Sequence, residues 1–398
     1  MKNLLAFFAM ASLMFSCESG QDKKEKTILA DTLVNYTVRA APEWTNLFYR
    51  NEGWFGADGI FSITFDGDES FGSGQDKEVM LSFSDTMTGT VLGDSAVENF
   101  KMVNNSFAYV QNAVPSEETV SIEYKKNIAG EALSYFSPNT PNTLDGEYYW
   151  MGEMFVNKED NNSINIFGYR VFDKSEASWD FEIRGVTIIT IPEGERVPFE
   201  RQSQIDAPLF MNLEGIGSGT FGSGVYMNTE WAGAPNPDGY MYIYGLIDPN
   251  KQLVVARVEP KNFKNFNEWK YWDGQSWQDD ITKTRPVTDR VSNEVSLTPM
   301  KDGRYLLVFQ SDGIGATTAI RIGKSPVGPF GPLQHIWKAP EAGQAPGIIP
   351  YNAKAHPVLS TENELLISYN TISYDYFKDI LTHPHMYRPR FFWLTIND

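Results

Sequence analysis

Two aspartates have the residue type and the surroundings expected for acid–base chemistry. Asp58 lies in the motif GADG (residues 56–59) and Asp85 in the motif FSDT (residues 83–86). Each adjoins an apolar run typical of a β-strand. If the two runs pair antiparallel, the start of the first and the end of the second meet at one edge of a sheet. Glycoside hydrolysis needs one protonated carboxyl group and one carboxylate. We therefore predict that Asp58 and Asp85 are a catalytic pair; the alternative for each is a turn-forming aspartate.

Two glutamates extend this set of acids. Glu153 follows the run YYWMG (residues 148–152), and Glu294 lies in SNEVS (residues 292–296). A charge within an otherwise apolar strand is costly unless it is paired. Acids that cluster in a pocket also acquire different pKa values, which separates the proton donor from the base. We predict Glu153 and Glu294 as further catalytic residues.

A wider group of aromatic and polar side chains has the chemistry of a sugar-binding cleft. Aromatic rings offer flat apolar faces, whereas amide, imidazole and guanidinium groups offer hydrogen bonds. For His356, a structural histidine held by hydrogen bonds is an equally good interpretation, and most of the aromatic residues are expected in the core. The predicted substrate-binding residues are Trp150, Tyr226, Trp231, Arg257, Asn293, Tyr351, His356, Tyr369 and Asn370.

The elements that must position these residues are short β-strands. Beyond residue 31, β-branched and aromatic runs alternate with turn residues, without long helical periodicity. The runs form five groups, and residues 33–38 supply the strand that the last group lacks. This pattern predicts an all-β fold, a five-bladed β-propeller closed by an N-terminal strand, as one domain over residues 32–398. A β-sandwich or two all-β domains are the alternatives. The groups are 61–65, 79–85, 106–112 and 120–124; 148–156, 163–172 and 185–191; 224–229, 240–246, 253–258 and 269–272; 294–298, 305–310, 319–323 and 333–337; and 355–359, 365–370 and 390–396.

The N-terminus has the features of a targeting segment. Lys2 is followed by an apolar run over residues 4–15, and Ser16 then precedes Cys17, the only cysteine of the chain. This resembles a bacterial lipoprotein signal. We predict a signal peptide over residues 1–16, a lipid on Cys17 and a flexible tether over residues 17–31. The protein would then be anchored to the outer membrane of the cell envelope. An ordinary secretory signal or a buried core cysteine are the alternatives.

Composition excludes several classes of protein. The chain has 398 residues, 41% of them hydrophobic, and a formal net charge of −18. That negative charge argues against a nucleic-acid partner, because the phosphates of a nucleic acid are also negatively charged. One cysteine and four histidines argue against a disulfide framework and a thiolate or imidazole metal site. We expect a monomer without a cofactor, and leave open a structural cation near the propeller axis.

At several motifs the chain resembles a bacterial family of unknown function, whose members are five-bladed propellers related to arabinanase-type glycoside hydrolases. Some relatives are endo-D-arabinanases, and the resemblance implies that Asp58 and Asp85 carry the acid–base work. This chain departs from the pattern at Ser84, where glycine is usual, and in an acidic insertion over residues 66–78. The motifs that carry the resemblance are GADG (56–59), FSDT (83–86), YMYIYG (240–245), VARV (255–258), WKYWDG (269–274), SPVGPF (325–330), AHP (355–357) and SYN (368–370).

Together these observations predict a cell-envelope glycoside hydrolase that uses carboxyl groups as acid and base. The resemblance implies an arabinofuranose-containing glycan and direct displacement by water, with inversion. The main alternative is a lipid-anchored propeller that binds glycans for uptake without catalysis; a lyase or an adhesion scaffold has less support. The discriminating feature is whether several carboxyl groups converge in one cleft without a neutralising Lys or Arg.

Overall fold

The computed structural model describes residues 32–93 and 95–397. The predicted signal peptide, the lipidated Cys17 and the tether lie outside these residues. Within the described part of the chain, no helix has the length and apolarity needed to cross a lipid bilayer.

Strands dominate the N-terminal half of the described chain. Their bounds are β1 (Asn35–Ala40), β2 (Glu52–Ala57), β3 (Phe61–Thr64), β4 (Glu78–Phe83), β5 (Thr86–Leu92), β6 (Ala96–Val103), β7 (Ser106–Gln111), β8 (Val120–Glu123), β9 (Lys125–Lys126), β10 (Ala132–Leu133), β11 (Tyr148–Asn157), β12 (Ser163–Asp173), β13 (Phe181–Ile191) and β14 (Ser203–Ala207).

The C-terminal half continues in the same way. Its strands are β15 (Phe210–Leu213), β16 (Gly217–Asn228), β17 (Tyr240–Asp248), β18 (Gln252–Val258), β19 (Lys270–Trp272), β20 (Trp277–Gln278), β21 (Val295–Pro299), β22 (Tyr305–Gln310), β23 (Thr317–Gly323), β24 (Gln334–Lys338), β25 (Ile349–Ala355), β26 (Leu365–Ile372) and β27 (Arg390–Asn397).

Helical structure is confined to short pieces between strands. Two α-helices have four residues each, α1 (Pro42–Thr45) and α2 (Tyr376–Asp379). The 3₁₀ turns of the described residues are Asn46–Phe48, Glu230–Ala232, Pro260–Asn262, Phe266–Glu268, Ile281–Lys283, Pro357–Leu359 and Pro384–Met386.

Five antiparallel sheets of four to six strands follow one another along the chain. Their strand orders are β3-β4-β7-β8, β11-β12-β13-β14, β15-β16-β17-β18-β19-β20, β21-β22-β23-β24 and β25-β26-β27-β1. Neighbouring sheets meet through β3 and β11, β11 and β16, β16 and β21, and β21 and β25. The 3₁₀ turn after β25 packs on β3 in turn. This nearly all-β arrangement is consistent with a propeller.

Apolar layers lie between successive sheets, and one layer joins the last sheet to the first. Alternating residues of the strands supply them, as expected for sheets packed face to face. Pairs that share a layer are Ile63 with Ile166, Phe167 with Ile243, Tyr244 with Leu307, Val308 with Ile367, and Leu81 with Leu366.

The strand groups predicted from the sequence correspond closely to these sheets, with two corrections. The second group gains a fourth strand, β14, and the third gains β15 and β20. The predicted strand over residues 355–359 is wrong, because β25 ends at Ala355 and residues Pro357–Leu359 form a 3₁₀ turn. Pro357 lacks the N–H that a strand needs and starts this turn instead. The predicted N-terminal strand is present as β1, which pairs along its length with β27.

A small sheet of strands β2, β5 and β6 was not predicted, and it determines where the aspartates lie. Ala57 at the end of β2 pairs with Thr86 at the start of β5. Phe61 at the start of β3 pairs with Ser82 near the end of β4. Asp58 and Asp85 therefore lie at the junction where two paired strands pass from the small sheet into the first large one.

Candidate active site

The two aspartates face each other across this junction. The backbone N–H of Asp58 donates to the carbonyl oxygen of Asp85 (3.2 Å), and the N–H of Ser84 donates to the carbonyl oxygen of Asp58 (2.8 Å). The structure thus brings together the pair on which the sequence analysis centred.

Glycines on both sides of Asp58 make this close approach possible. A Cβ on Gly56 would lie 1.7 Å from the carbonyl oxygen of Tyr387. Gly59 has φ +63°, and a Cβ there would lie 2.5 Å from the hydroxyl of Ser84. The GADG motif therefore follows from backbone packing on either side of the carboxyl group.

Two tyrosines hydrogen-bond the carboxyl group of Asp58. The Tyr351 hydroxyl donates to Oδ2 (2.7 Å), and Tyr387 also hydrogen-bonds the carboxyl group. Oδ1 is buried and has no hydrogen-bond partner among the described residues. Burial raises the pKa of Asp58 to about 6, although both tyrosines favour the charged form. One carboxylate oxygen is therefore held in place while the other is unoccupied.

Both oxygens of Asp85, by contrast, accept hydrogen bonds. The Asn104 amide donates to Oδ1 and the Trp150 indole to Oδ2, each at 3.0 Å. Burial and the neighbouring charge of Asp58 raise the pKa of Asp85 to about 8. Between these two pKa values the pair carries one negative charge.

Glu294 is the third acid of this group. It immediately precedes β21 and is buried; the Asn352 amide donates to its Oε1 (2.8 Å). Its Oε2 has no partner among the described residues. Burial, and then the charge of Asp58, raise the pKa of Glu294 well above its usual range. We call Asp58, Asp85 and Glu294 the carboxyl cluster.

The Ser84 side chain links the first sheet to the second. Its hydroxyl accepts from the N–H of Met151 (2.9 Å) and donates to the carbonyl oxygen of the same residue (3.2 Å). Met151 follows Trp150, whose indole binds Asp85. These two hydrogen bonds therefore stabilise the backbone beside the cluster.

Glu153 occupies a different environment. It lies in a β-bulge of β11, between Met151 and Met154, and forms a buried ion pair with Lys354 of β25. The Lys354 ammonium also donates to the carbonyl oxygen of Val295 (3.0 Å). Burial raises the pKa of Glu153, and the ammonium opposes this change. We call this pair the axial ion pair.

The acidic insertion packs beneath the axial ion pair. Its backbone binds the third sheet through Glu69 N–H and Ala232 O (3.1 Å), and the last sheet through Gly74 N–H and Val358 O (2.9 Å). Glu69 lines a cavity of about 70 Å³ together with Glu153 and Lys354. Burial and the charge of Glu153 raise the pKa of Glu69 to about 8. The insertion therefore covers one end of the central region, while Asp58 and Asp85 lie at the opposite end of β3 and β4.

Three predicted binding residues lie in or beside the carboxyl cluster. Trp150 binds Asp85, Tyr351 binds Asp58, and Asn370 donates from Nδ2 to the carbonyl oxygen of Ala57 (2.9 Å). Asn293 precedes Glu294, but it is exposed and accepts from Lys251 (3.0 Å).

Five other predicted residues lie elsewhere. His356 is fully buried between the hydroxyls of Ser62 (3.0 Å) and Ser368 (2.7 Å), and burial lowers its pKa to about 3. This is the environment of a neutral structural histidine. The hydroxyl of Tyr369 donates to Glu341 (2.9 Å), and Arg257 packs over the rings of Tyr240 and Trp277; Tyr226 and Trp231 lie at the end of the molecule that holds the acidic insertion.

Sequence reasoning missed several residues of the site. No periodicity or motif marks Asn104, Asn352 or Tyr387. Asn104 lies in the loop between β6 and β7, Asn352 in a bulge of β25, and Tyr387 in the connection between β26 and β27. Lys354 stands next to the AHP motif, so its charge inside an apolar strand was a usable signal. Among the described residues, no group of three or more His, Cys, Asp or Glu side chains is arranged to hold a metal ion.

Comparison with known proteins identifies the family. A family model described as Domain of unknown function (DUF5005) matches residues 42–395. No curated protein matches the chain. The structure of a candidate hydrolase from Bacteroides ovatus ATCC 8483 is similar over 90% of both chains, with a TM-score of 0.69 and 19% identity. That degree of similarity shows a shared fold.

Two glycoside hydrolases with bound sugars are more distantly similar. An exo-β-1,3-galactanase from Phanerochaete chrysosporium, in complex with β-1,3-galactotriose, has a TM-score of 0.46 and 11% identity over 90% of this chain. The match spans 64% of that galactanase. A GH43_1 enzyme from Xanthomonas citri, in complex with xylose, has a TM-score of 0.44 and 13% identity, over 93% of this chain and 91% of the enzyme.

Proposed function

The chain belongs to the DUF5005 family, and from this premise we propose that it is a glycoside hydrolase whose catalytic acid and base belong to the carboxyl cluster. The observation that carries the proposal is a group of three acids in which the charge of Asp58 raises the pKa of both Asp85 and Glu294, while the hydrogen-bond donors to the carboxyl groups are neutral side chains. The charge of Lys354 acts on Glu294 in the opposite direction and lowers its pKa. A protein that only binds glycans can also use carboxylates, because they accept hydrogen bonds from sugar hydroxyls. The feature that favours catalysis is that burial raises the pKa values of all three acids, which suits proton transfer near neutral pH.

Asp58 has the properties of the base. Two tyrosine hydroxyls orient its carboxyl group, and its free Oδ1 is available to accept a proton from water. A pKa of about 6 leaves the group mostly ionised at neutral pH, yet basic enough to take up a proton during the reaction.

Glu294 has the properties of the acid. Burial raises its pKa, which favours the protonated carboxyl group that a general acid needs. The Asn352 amide occupies Oε1, so the proton belongs on Oε2, which is free to donate to the glycosidic oxygen.

For Asp85 we propose a different role from the catalytic one that the sequence suggested. Each of its oxygens already accepts one hydrogen bond, whereas Asp58 and Glu294 each have an oxygen without a partner among the described residues. We assign it to positioning: it holds the Trp150 indole beside the cluster and shares its titration with Asp58.

We also propose an architecture, a membrane attachment and a substrate class for this protein. We propose one five-bladed propeller closed by β1, because five sheets adjoin in sequence and β1 completes the last one. Attachment through Cys17 to the outer membrane is supported by the N-terminal sequence. A furanosidic glycan such as an arabinan, cleaved with inversion by a monomeric enzyme, is supported by the family resemblance.

The test is a glycan panel with an isosteric control. The chain without residues 1–16, carrying Cys17→Ser, is incubated with arabinans, arabinogalactan, arabinoxylan and β-1,3-galactan. We expect the wild-type site to release sugar from one of them and Asp58→Asn to reduce the rate about 10²- to 10⁴-fold while binding is retained. Binding without any release of sugar would point to the uptake function instead.

A further inference from the structure

A groove bordered by exposed aromatic rings lies between two loops. One wall is the β12–β13 connection with Trp179, and the other is the segment after β26 with Tyr374 and Phe377. The groove has a volume of about 810 Å³. Trp179 is 42% exposed and Tyr374 69% exposed, although rings of this size are usually covered.

The rings are held in place rather than loosely attached. The Trp179 indole donates to the carbonyl oxygen of Tyr374 (2.9 Å), and the two ring centroids are 6.2 Å apart. Asp180 fixes the first loop by accepting from Ser175 (2.7 Å) and pairing with Lys174 (2.8 Å). Because the indole N–H already donates to Tyr374, the remaining exposed part of the ring is apolar.

The first wall leads to Asp85. Phe181, two residues after Trp179, packs edge-on against Trp150 with ring centroids 4.5 Å apart. Trp150 in turn donates to Asp85. The loop that carries Trp179 is therefore connected through two aromatic rings to the carboxyl cluster.

The second wall leads to Asp58. Phe377 packs against Tyr376 (4.1 Å between centroids), and Tyr376 stacks on Tyr387 (6.2 Å), which hydrogen-bonds Asp58. Both walls are therefore connected through packed aromatic rings to the same site.

We infer that this groove binds further sugar units of a glycan chain whose scissile linkage lies at the carboxyl cluster. This inference rests on the proposed function for the position of the cleaved bond. Flat apolar rings suit the C–H faces of sugars, and Glu176, Asp375 and Lys378 at the rim suit their hydroxyls. The substrate is therefore an oligosaccharide or polysaccharide rather than a disaccharide.

The experiment compares the wild type with the double variant Trp179→Ala/Tyr374→Ala. Phe210→Ala is the control, since Phe210 is an exposed aromatic (44%) on β15. Binding to linear arabinan, arabinoxylan and β-1,3-galactan is measured by affinity electrophoresis, and kcat/KM is measured on the polymer that is cleaved and on its disaccharide. We expect about tenfold weaker binding and about tenfold lower kcat/KM on the polymer for the double variant alone. Its kcat/KM on the disaccharide should equal that of the wild type.

The outcomes separate the two proposals. Polymer binding that is lost in the double variant, without hydrolysis by the wild type, supports the groove and contradicts the hydrolase. Hydrolysis with equal polymer binding in both proteins overturns the groove, as does an equal loss on polymer and disaccharide. A wild-type dimer that the double variant dissociates, seen by light scattering, would show that a second copy fills the groove and overturn the inference. Failure of the wild type to bind any glycan would overturn both proposals.

Discussion

The carboxyl cluster and the axial ion pair contain the same type of residue under opposite electrostatic conditions. Asp85 and Glu294 of the cluster are buried, as are Glu153 and Lys354 of the ion pair. In the axial ion pair, the Lys354 ammonium compensates the charge of Glu153. In the carboxyl cluster, neutral tyrosine, asparagine and indole donors contact the acids, so burial raises all three pKa values, and the charge of Asp58 adds to the rise for Asp85 and Glu294. The charge of Lys354 lowers the pKa of Glu294 without reversing that rise. Burial alone therefore does not mark a reactive acid; the charge of its partner does.

This contrast separates an ion pair that stabilises the fold from a group of acids that can transfer protons. A buried pair that loses one partner leaves an uncompensated charge, and that cost is structural. A buried acid without a cationic partner already lowers the stability of the wild-type fold. Its perturbed pKa suits proton transfer near neutral pH. Three predictions test the distinction.

The largest effect is expected for Glu294→Gln. The amide preserves the shape and the hydrogen bond from Asn352 but cannot donate a carboxyl proton, so kcat should fall about 10²- to 10⁴-fold on a natural glycan. An aryl glycoside with an acidic phenol leaving group needs little protonation, so the loss on that substrate should be much smaller. Steady-state rates on the two substrates measure this. Equal losses on both would show that Glu294 is not the acid.

Glu153→Gln should lower stability rather than chemistry directly. The Lys354 ammonium would remain buried without its carboxylate, at a cost of about 3–5 kcal/mol in the free energy of unfolding. Urea denaturation measures this value. Adding Lys354→Met removes the unpaired charge and should recover most of the loss. The control is Glu182→Gln in the exposed pair with Arg184, for which about 0–1 kcal/mol is expected.

A contrary result for Glu153 would be equally informative. If Glu153→Gln abolishes turnover while the denaturation curve is unchanged, the two regions are not distinct. Glu153 would then join the carboxyl cluster as a catalytic group, as the sequence analysis predicted.

The smallest effect is a pH-dependent difference in stability. A carboxyl group with a raised pKa binds more protons in the folded than in the unfolded chain between its ordinary and raised pKa values, so rising pH destabilises the fold there. Wild-type Tm should therefore fall more between pH 5 and pH 8 than the Tm of Glu294→Gln. For a chain of this length, each 1 kcal/mol corresponds to roughly 1–2 °C. Calorimetry at both pH values measures these Tm values. An equal fall in Tm for the wild type and Glu294→Gln would contradict the raised pKa.

Local patterns in the sequence were sufficient for the strands and for the first two acids. Alternating apolar residues identified most strands of the five sheets, because each strand must bury one face whatever its neighbours are. Asp58 and Asp85 were placed together because they flank two strands that are adjacent in the chain. Antiparallel pairing of β3 with β4 then brings the start of one strand to the end of the other.

The partners of these acids were decided by the tertiary structure alone. Tyr351 is 293 residues from Asp58 along the chain, and Lys354 is 201 residues from Glu153. A bulge in β25 between Tyr351 and Lys354 holds Asn352 at φ +53°, which interrupts the alternation on which strand patterns depend. Sequence alone determined which residues are acids and which strands carry them. Whether an acid meets an ammonium or a hydroxyl depends on how distant sheets pack, and no local pattern encodes that contact.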